Sequence, residues 1–386
     1  MATTTEPPGN IKSFAIFGGY MATALLLTLR CISIIRQQSR HNIAGSLKAP
    51  ASKDQQQQQQ QVVTTTNPLS HAQLRRRVWI FSLLAAASLS TTWYYMFAFF
   101  AHSYRDWAAT RGIPVSGTSA SDLQLGAWLR DTSLFSQAWA SAMATPPRVW
   151  WTQQIFGFCS LWTLILATEG SLRTGTAPAG RSSILTLWPF ILLGQIVAIS
   201  FAANLSFLAI LLSGPRVLPK PLTGRAKWNA NSRIVDPATF TGYAIVGLTF
   251  ASVAATLPSG TGDEEKAGGG AASMMSSPAF LPLLLTPHVL AFAPLLLRKY
   301  IRSAAQLAQP SLVAVVMAIL LQTRTTGSVL EQATAAGGAA GGGSVAVGGG
   351  MAHIRAAFGE HPAVSSVGWD VVLCWVSFTC WALLRD

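Results

Sequence analysis

The stretch ILTLWPFILLGQIVAISFAANLSFLAILL, residues 184–212, runs for 29 residues without a charged side chain. A helix needs about 20 such residues to cross the hydrocarbon core of a bilayer, so this run predicts a membrane span. Seven further apolar runs lie at 14–35, 78–100, 149–168, 240–257, 280–297, 303–322 and 364–384. The sequence therefore predicts an all-α fold, a polytopic transmembrane helical bundle with about eight spans.

The overall composition also indicates a membrane protein. Half of the 386 residues are hydrophobic and only 11% are charged, whereas soluble domains carry about 25% charged residues. The formal net charge is +13, and the Lys and Arg residues lie mainly between the apolar runs, where they orient loops against a membrane. We interpret this charge as a topology signal, and we expect membrane lipids rather than nucleic acid as partners.

Cysteine spacing and motif searches exclude several kinds of site. Cys31, Cys159, Cys374 and Cys380 form no CxxC pair and have no His at metal-ligand spacing, so neither a disulfide framework nor a zinc site is expected. The sequence contains no GxxxxGK(S/T), HExxH, GxSxG or NDxxDxxxD motif. We therefore expect no metal and no cofactor.

The apolar runs divide the chain into seven parts. The first span, 1–35, is expected to be retained, because it lacks a convincing small-residue cleavage site. The predicted parts that follow are a cytoplasmic low-complexity loop with a Gln tract (36–77), a transmembrane core (78–257), a Gly-rich acidic loop (258–279), a transmembrane hairpin (280–322), a Gly-rich disordered loop (323–363) and the last span (364–386).

Within the core, residues 123–144 have apolar side chains at helical spacing. With eight spans, 12 Lys and Arg residues fall on the cytoplasmic side and 14 on the other side, which violates the positive-inside rule. If residues 123–144 also cross the membrane, the counts become 17 and 8. This segment is therefore either an embedded ninth span or an interfacial amphipathic helix.

Acidic residues in or beside apolar runs are candidates for catalysis. Asp131 and Glu169 are the main candidates, and Asp106 and Asp370 are two more. A carboxyl group in an apolar pocket has a raised pKa, stays protonated and can act as a general acid. Alternatively, Asp131 pairs with Arg130, and Glu169 only marks the end of a helix.

Aromatic and amide side chains supply candidate binding residues around these acids. Tryptophan faces can stabilise a cation, although membrane-interface belts are their commoner location. Amides inside a span can orient a substrate, or they can join helices by hydrogen bonds. The candidates are Trp139, Trp150, Trp151, Gln153, Gln154 and Asn204.

Two stretches carry a resemblance to a known family. Residues 128–170 contain WLRDTSLF, QAW, WWTQQ and TEG, and residues 187–205 read LWPFILLGQIVAISFAANL. They resemble a group of fungal integral-membrane proteins that includes the terpene cyclases of meroterpenoid pathways, of the ascochlorin and ascofuranone type. These two stretches hold 62 of the 386 residues, and the Gln tract and Gly-rich loop lie outside them.

The resemblance implies a metal-independent terpene cyclase in a multi-pass membrane location such as the endoplasmic reticulum. Such an enzyme protonates an epoxide or alkene of a farnesyl-type chain attached to an aromatic or polyketide head. Asp131 or Glu169 would be the initiating acid, and the Trp, Gln and Asn candidates would contact the lipophilic substrate. Two alternatives remain at this stage, an exporter of a small lipophilic metabolite and a non-catalytic membrane scaffold.

Overall fold

The computed structural model describes residues 9–47, 71–114, 123–172, 187–213, 236–257, 278–296, 305–336 and 343–384. About 91% of these residues are helical and none lies in a strand. Within these ranges the prediction of an all-α fold is confirmed.

Fourteen helices make up the described part of the chain. They are α1 (Gly9–Leu47), α2 (His71–Thr110), α3 (Leu125–Asp131), α4 (Leu134–Ala142), α5 (Pro146–Thr152), α6 (Gln154–Leu172), α7 (Trp188–Ile196), α8 (Ile199–Leu212), α9 (Pro237–Ala255), α10 (Phe280–Leu290), α11 (Ala293–Leu296), α12 (Ala305–Ala336), α13 (Gly343–Glu360) and α14 (Pro362–Leu384).

Five of these helices are long and apolar enough to cross a membrane, as expected for a multi-pass integral membrane protein. The qualifying segments are Ile11–Arg40, His71–Thr110, Pro237–Ala255, Gln306–Thr334 and Pro362–Leu384. Two shorter apolar helical segments, Ile199–Leu212 and Phe280–Leu296, accompany them.

Helix α8 forms the centre of the bundle. Every residue from Ile199 to Leu211 is buried, and α8 packs against α1, α2 and α14. The ring of Phe207 stacks on Trp381 with centroids 4.5 Å apart. A helix that is apolar on all sides has no face that must meet water, so α8 can be enclosed by other helices.

Contacts between helices define two ends of the bundle. The Phe99 ring, in the last third of α2, packs against His361, just before α14, and we call this end of the bundle the pocket end. Phe17 packs against Phe100 with ring centroids 5.5 Å apart, which places the start of α1 there too. We call the opposite end, where α1 ends and α2 begins, the basic end.

Contacts between side chains also give the orientation of helices α6, α9 and α12. Gln153, before α6, bonds to Gln322 of α12, and Arg148 of α5 pairs with Glu360 before α14. The start of α6 and the late part of α12 therefore lie toward the pocket end. The end of α6 and the starts of α9 and α12 meet in one cluster toward the basic end.

Helices α7 and α8 form a folded hairpin rather than one span. A Cβ placed on Gly194 would lie 3.3 Å from Ala202 Cβ, although residues eight positions apart in a straight helix are separated by about 12 Å. The chain reverses at Val197 and Ala198, where Ala198 is extended. The single helix suggested by the apolar run 184–212 is thus corrected to a hairpin.

The 123–144 segment also differs from the single helix that its spacing suggested. It forms α3 and α4, of 7 and 9 residues, separated by Thr132 and Ser133. At 1.5 Å per residue these helices are about 10 and 14 Å long, and a hydrocarbon core is about 30 Å thick. Neither helix can cross a membrane alone.

The prediction of a disordered loop over 323–363 is wrong for most of that range. Helix α12 continues to Ala336, and α13 covers 343–360. Gly350 lies close enough to α12 that an added Cβ would be 2.7 Å from Leu330, so glycine here permits close helix packing. The Gln tract and the Gly-rich acidic loop lie outside the described residues.

Candidate active site at the pocket end

A cavity of about 380 Å³ opens at the pocket end, between α2, α3, α4 and the turn before α14. Its α2 wall consists of Phe99, His102, Ser103, Asp106, Trp107 and Thr110. This spacing of three and four residues places all six side chains on one face of a helix. The cavity volume lies within the range of about 300–1,000 Å³ that is common for small-molecule sites.

Two histidines and an aspartate form the first polar group of the cavity. His102 Nε2 lies 3.3 Å from Asp106 Oδ2, one helical turn later. The His361 ring meets the His102 ring edge to face, with centroids 4.8 Å apart. The pair His102–Asp106 can therefore exchange a proton beside a second imidazole.

His361 is held in one tautomer by the start of α14. Its Nδ1 accepts a hydrogen bond from Ala363 N at 3.2 Å, so in the neutral ring Nε2 carries the proton. Burial, with a smaller contribution from the neighbouring His102, lowers the pKa of His361 from 6.5 to about 4. At neutral pH His361 is thus an uncharged ring with a donor N–H.

Asp131 lines the same cavity but is paired with two arginines. Arg130 Nε donates to Asp131 Oδ1 at 2.9 Å, and Arg111 Nη2 donates to Oδ2 at 2.8 Å. The hydrogen bond from Arg130 holds the pKa of Asp131 below its usual value. Its carboxyl group is ionised at neutral pH, which suits a proton acceptor better than an initiating acid.

Contacts between side chains of α2, α3 and α4 hold the wall of the cavity in place. Trp128 Nε1 donates to Ser103 Oγ at 3.2 Å, and Ser103 Oγ donates to Gln137 Oε1 at 3.0 Å. The Arg111 guanidinium lies 4.7 Å from the Trp107 ring centroid. These bonds connect α2 to α3 and α4 and position the aromatic faces.

Glu169 is far from this cavity. It is buried near the end of α6, fifteen residues beyond Gln154, which corresponds to about 22 Å along the helix. The two predicted acids, Asp131 and Glu169, therefore lie toward opposite ends of the bundle and do not share a site.

Four predicted binding residues join helices to one another. Trp150 Nε1 donates to Thr326 Oγ1 and Trp151 Nε1 to the Ile354 carbonyl. Gln153 Nε2 donates to Gln322 and Thr325, and Gln154 Oε1 accepts from Trp375 Nε1. These contacts match the helix-joining alternative. They place all four side chains outside the residues that line the cavity.

Trp139 and Asn204 lie deeper in the bundle than the cavity, close to the hairpin of α7 and α8. Trp139 stacks on Phe156 and approaches His288, which bonds to Gln195 at the end of α7. Asn204 Nδ2 donates to Ser377 Oγ at 2.8 Å. Both side chains are therefore separate from the cavity.

The acidic residue at the hairpin tip is Asp370. Its Oδ2 accepts from Ile199 N at 3.0 Å and its Oδ1 accepts from Ser200 N at 2.8 Å. The carboxylate thus caps the start of α8 from within the bundle, since both N–H groups lack a partner within their own helix.

Sequence reasoning missed His102 and His361 as site residues. The His102 and Asp106 spacing of four residues was a usable signal, because such a pair shares one helix face. His361 gave no comparable signal, since its approach to Phe99 joins positions 262 residues apart. None of the six predicted binding residues lines the cavity, whereas two of the four candidate acids, Asp131 and Asp106, do.

Comparison with known proteins found no relative: no family model, no curated protein and no solved structure matches the chain.

Proposed function

We propose that this protein is a multi-pass membrane enzyme that uses the cavity at the pocket end for acid–base chemistry on a lipophilic small molecule. The observation that carries the proposal is the meeting of His102–Asp106, His361 and Asp131 beside the aromatic rings of α2. Convergent titratable groups in a concave site are the usual basis of proton-transfer catalysis.

The reaction that we propose is the terpene cyclisation implied by the sequence resemblance. His102, beside Asp106, gives a proton to an epoxide oxygen or alkene carbon of the prenyl chain. The Nε2–H of neutral His361 hydrogen-bonds the oxygen of the substrate, and the faces of Phe99 and Trp107 stabilise the carbocation. The Asp131 carboxylate takes up the final proton, so substrate and product have the same mass.

If His102 transfers a proton, replacing it with a side chain that cannot act as an acid or base should cause a large loss of turnover. His102→Gln is expected to lower kcat at least about 100-fold, as general acid–base catalysis contributes about 10²–10⁴. Microsomes expressing each variant receive an epoxidised farnesyl-aromatic substrate, and the isomeric product is measured by chromatography and mass spectrometry. Asp131→Asn should also reduce turnover, while the exposed Glu331→Gln serves as the control.

The same panel includes Glu169→Gln. If this variant alone abolishes the product at equal protein level, the initiating acid lies near the basic end, and our assignment of the cavity fails. If no tested substrate yields an isomer, the cyclase proposal fails.

We also propose that the chain crosses the membrane seven times, rather than eight or nine. The end of α6 and the start of α9 lie toward the same end, and the α7–α8 hairpin between them enters and leaves there. Each connecting segment can then be assigned by the helices that it joins. On this proposal, 18 of the 27 Lys and Arg residues are assigned to the basic side and 8 to the pocket side, with Arg30 inside α1, so the positive-inside rule is obeyed with the basic end cytoplasmic.

This topology predicts that Ala72 and Ser213 lie on the same side of the membrane. Single cysteines, Ala72→Cys and Ser213→Cys, should both be labelled by an impermeant maleimide from the cytoplasmic side of sealed microsomes, and Thr110→Cys should not. Labelling of Ala72→Cys and Ser213→Cys from opposite sides would mean that 184–212 crosses the membrane.

Transport is the second candidate function, because one specific observation favours it. Broken helices with polar groups near the middle of the membrane are typical of transporters, and the α7–α8 tip brings Asp370 to such a position. A transporter would change where a metabolite accumulates without changing its structure. The isomer assay above therefore separates the two functions.

A further inference from the structure

Four exposed arginines lie at the basic end of the bundle: Arg36 and Arg40 on α1, and Arg75 and Arg76 on α2. Phe17 lies beside Phe100, and Tyr20 OH lies 4.0 Å from Met96 Sδ, so α1 and α2 run antiparallel. Continued along both helices, this register places Arg40 level with Arg76. The four guanidinium groups therefore belong to one level of the bundle.

This level coincides with the headgroup region of a bilayer. From Phe99 to Arg76 the 23 residues of α2 span about 35 Å, and the hydrocarbon core is about 30 Å thick. A hydrocarbon core that begins at Phe99, near the end of the apolar run 78–100, places Arg76 just beyond its opposite boundary. Trp79, one turn closer to the core, is 62% exposed, as is usual for an interfacial tryptophan.

The arginines at the two ends differ in their partners. At the pocket end, Asp131 pairs with Arg111 and Arg130, and Glu360 pairs with Arg148. At the basic end, α1 contains no Asp or Glu, and α2 contains none before Asp106. Among the described residues, no carboxylate forms an ion pair with any of the four exposed arginines of this end. Their charge remains available for an external anion.

We propose that Arg36, Arg40, Arg75 and Arg76 form a binding surface for anionic phospholipid headgroups of the cytoplasmic leaflet. Guanidinium groups bind phosphate oxygens with paired N–H donors, and basic residues beside a span attract anionic lipids. The surface is separate from the cavity, so its function does not depend on the reaction that we propose there.

The test compares two variants that each remove four positive charges. One carries Arg36→Gln, Arg40→Gln, Arg75→Gln and Arg76→Gln. The matched control carries Lys12→Gln, Arg105→Gln, Arg324→Gln and Arg355→Gln, four exposed cations outside the basic end. Full-length protein in neutral detergent is titrated with phosphatidylserine or phosphatidylcholine. Bound lipid is counted by native mass spectrometry, and a thermal melt confirms that each variant is folded.

The wild type and the control are expected to bind phosphatidylserine at least about tenfold more tightly than phosphatidylcholine, and the basic-end variant should lose this preference. Equal binding of the two lipids by the wild type would overturn the proposal, as would equal losses in the two variants. Competition by glycerophosphoserine as strong as by the intact lipid would identify a soluble-phosphate site instead, which would also overturn it.

Discussion

Replacing Asp370 by Ala is expected to remove about 2–6 kcal/mol from the free energy of unfolding, enough to deplete the folded protein. The Asp370 carboxylate is the acceptor for Ile199 N and Ser200 N. Each donor left unpaired in a buried site costs about 1–3 kcal/mol, and water cannot replace the lost acceptor in the middle of a bundle. Asp370→Asn keeps one acceptor oxygen and should lose less.

Asp236 provides a matched control for this effect. It also caps a helix, since its Oδ2 accepts from Ala238 N and Thr239 N at the start of α9, but it lies at the end of the bundle. Asp236→Ala should cost only about 1 kcal/mol, as is usual for an N-cap near the surface. Thermal unfolding in detergent, followed by tryptophan fluorescence, measures all three variants. Equal losses for Asp370→Ala and Asp236→Ala would show that burial adds nothing to the cap.

The membrane class and the positions of the long helices could be predicted from the sequence. Hydrophobic run length reports directly on the cost of placing residues in hydrocarbon, and α1, α2, α9, α12 and α14 each contain a predicted span. Run length does not show which path an apolar stretch takes through the bilayer. The apolar stretch 184–212 has the same composition whether it crosses once or turns back.

The turn at Val197 and Ala198 has no local signal because its partners are distant in sequence. Asp370, which caps α8, is 171 residues from Ile199. The only usable warning was the distribution of charge: the eight-span count violated the positive-inside rule. A ninth span over 123–144 was one of two alternatives that the sequence left open, whereas we propose that the hairpin removes the conflict.

The site was harder to predict than the fold, because its side chains also meet partners that are distant in sequence. Asp131 was identified because an acid beside an apolar run is unusual, but its ionisation depends on Arg111 as well as on the adjacent Arg130. The tryptophans and glutamines near α5 were chosen by density in the sequence, and they bond to α12, α13 and α14 instead. Proximity along the chain did not reveal which helix faces meet.

Replacing Gly194 by Ala is the second large effect that we expect, because α7 contacts Trp162 so closely. A Cβ at position 194 would lie 2.6 Å from Trp162 Cζ3 and 3.3 Å from Ala202 Cβ. The indole cannot easily move, since it is fully buried and its Nε1 donates to Ser206 Oγ at 3.1 Å. Overpacking of this kind costs about 1–3 kcal/mol, and here it would also push the hairpin open.

Gly247→Ala in α9 is the control, because an added Cβ there meets nothing within 4 Å. That variant should be neutral or gain up to about 1 kcal/mol from helix propensity. A double-mutant cycle with Trp162→Phe tests the mechanism. The smaller ring makes room for the new methyl group, so the double variant should melt higher than the sum of the two single losses predicts. Strictly additive losses would show that Gly194 and Trp162 do not clash, and the tight α7–α8 hairpin would then lose its steric basis.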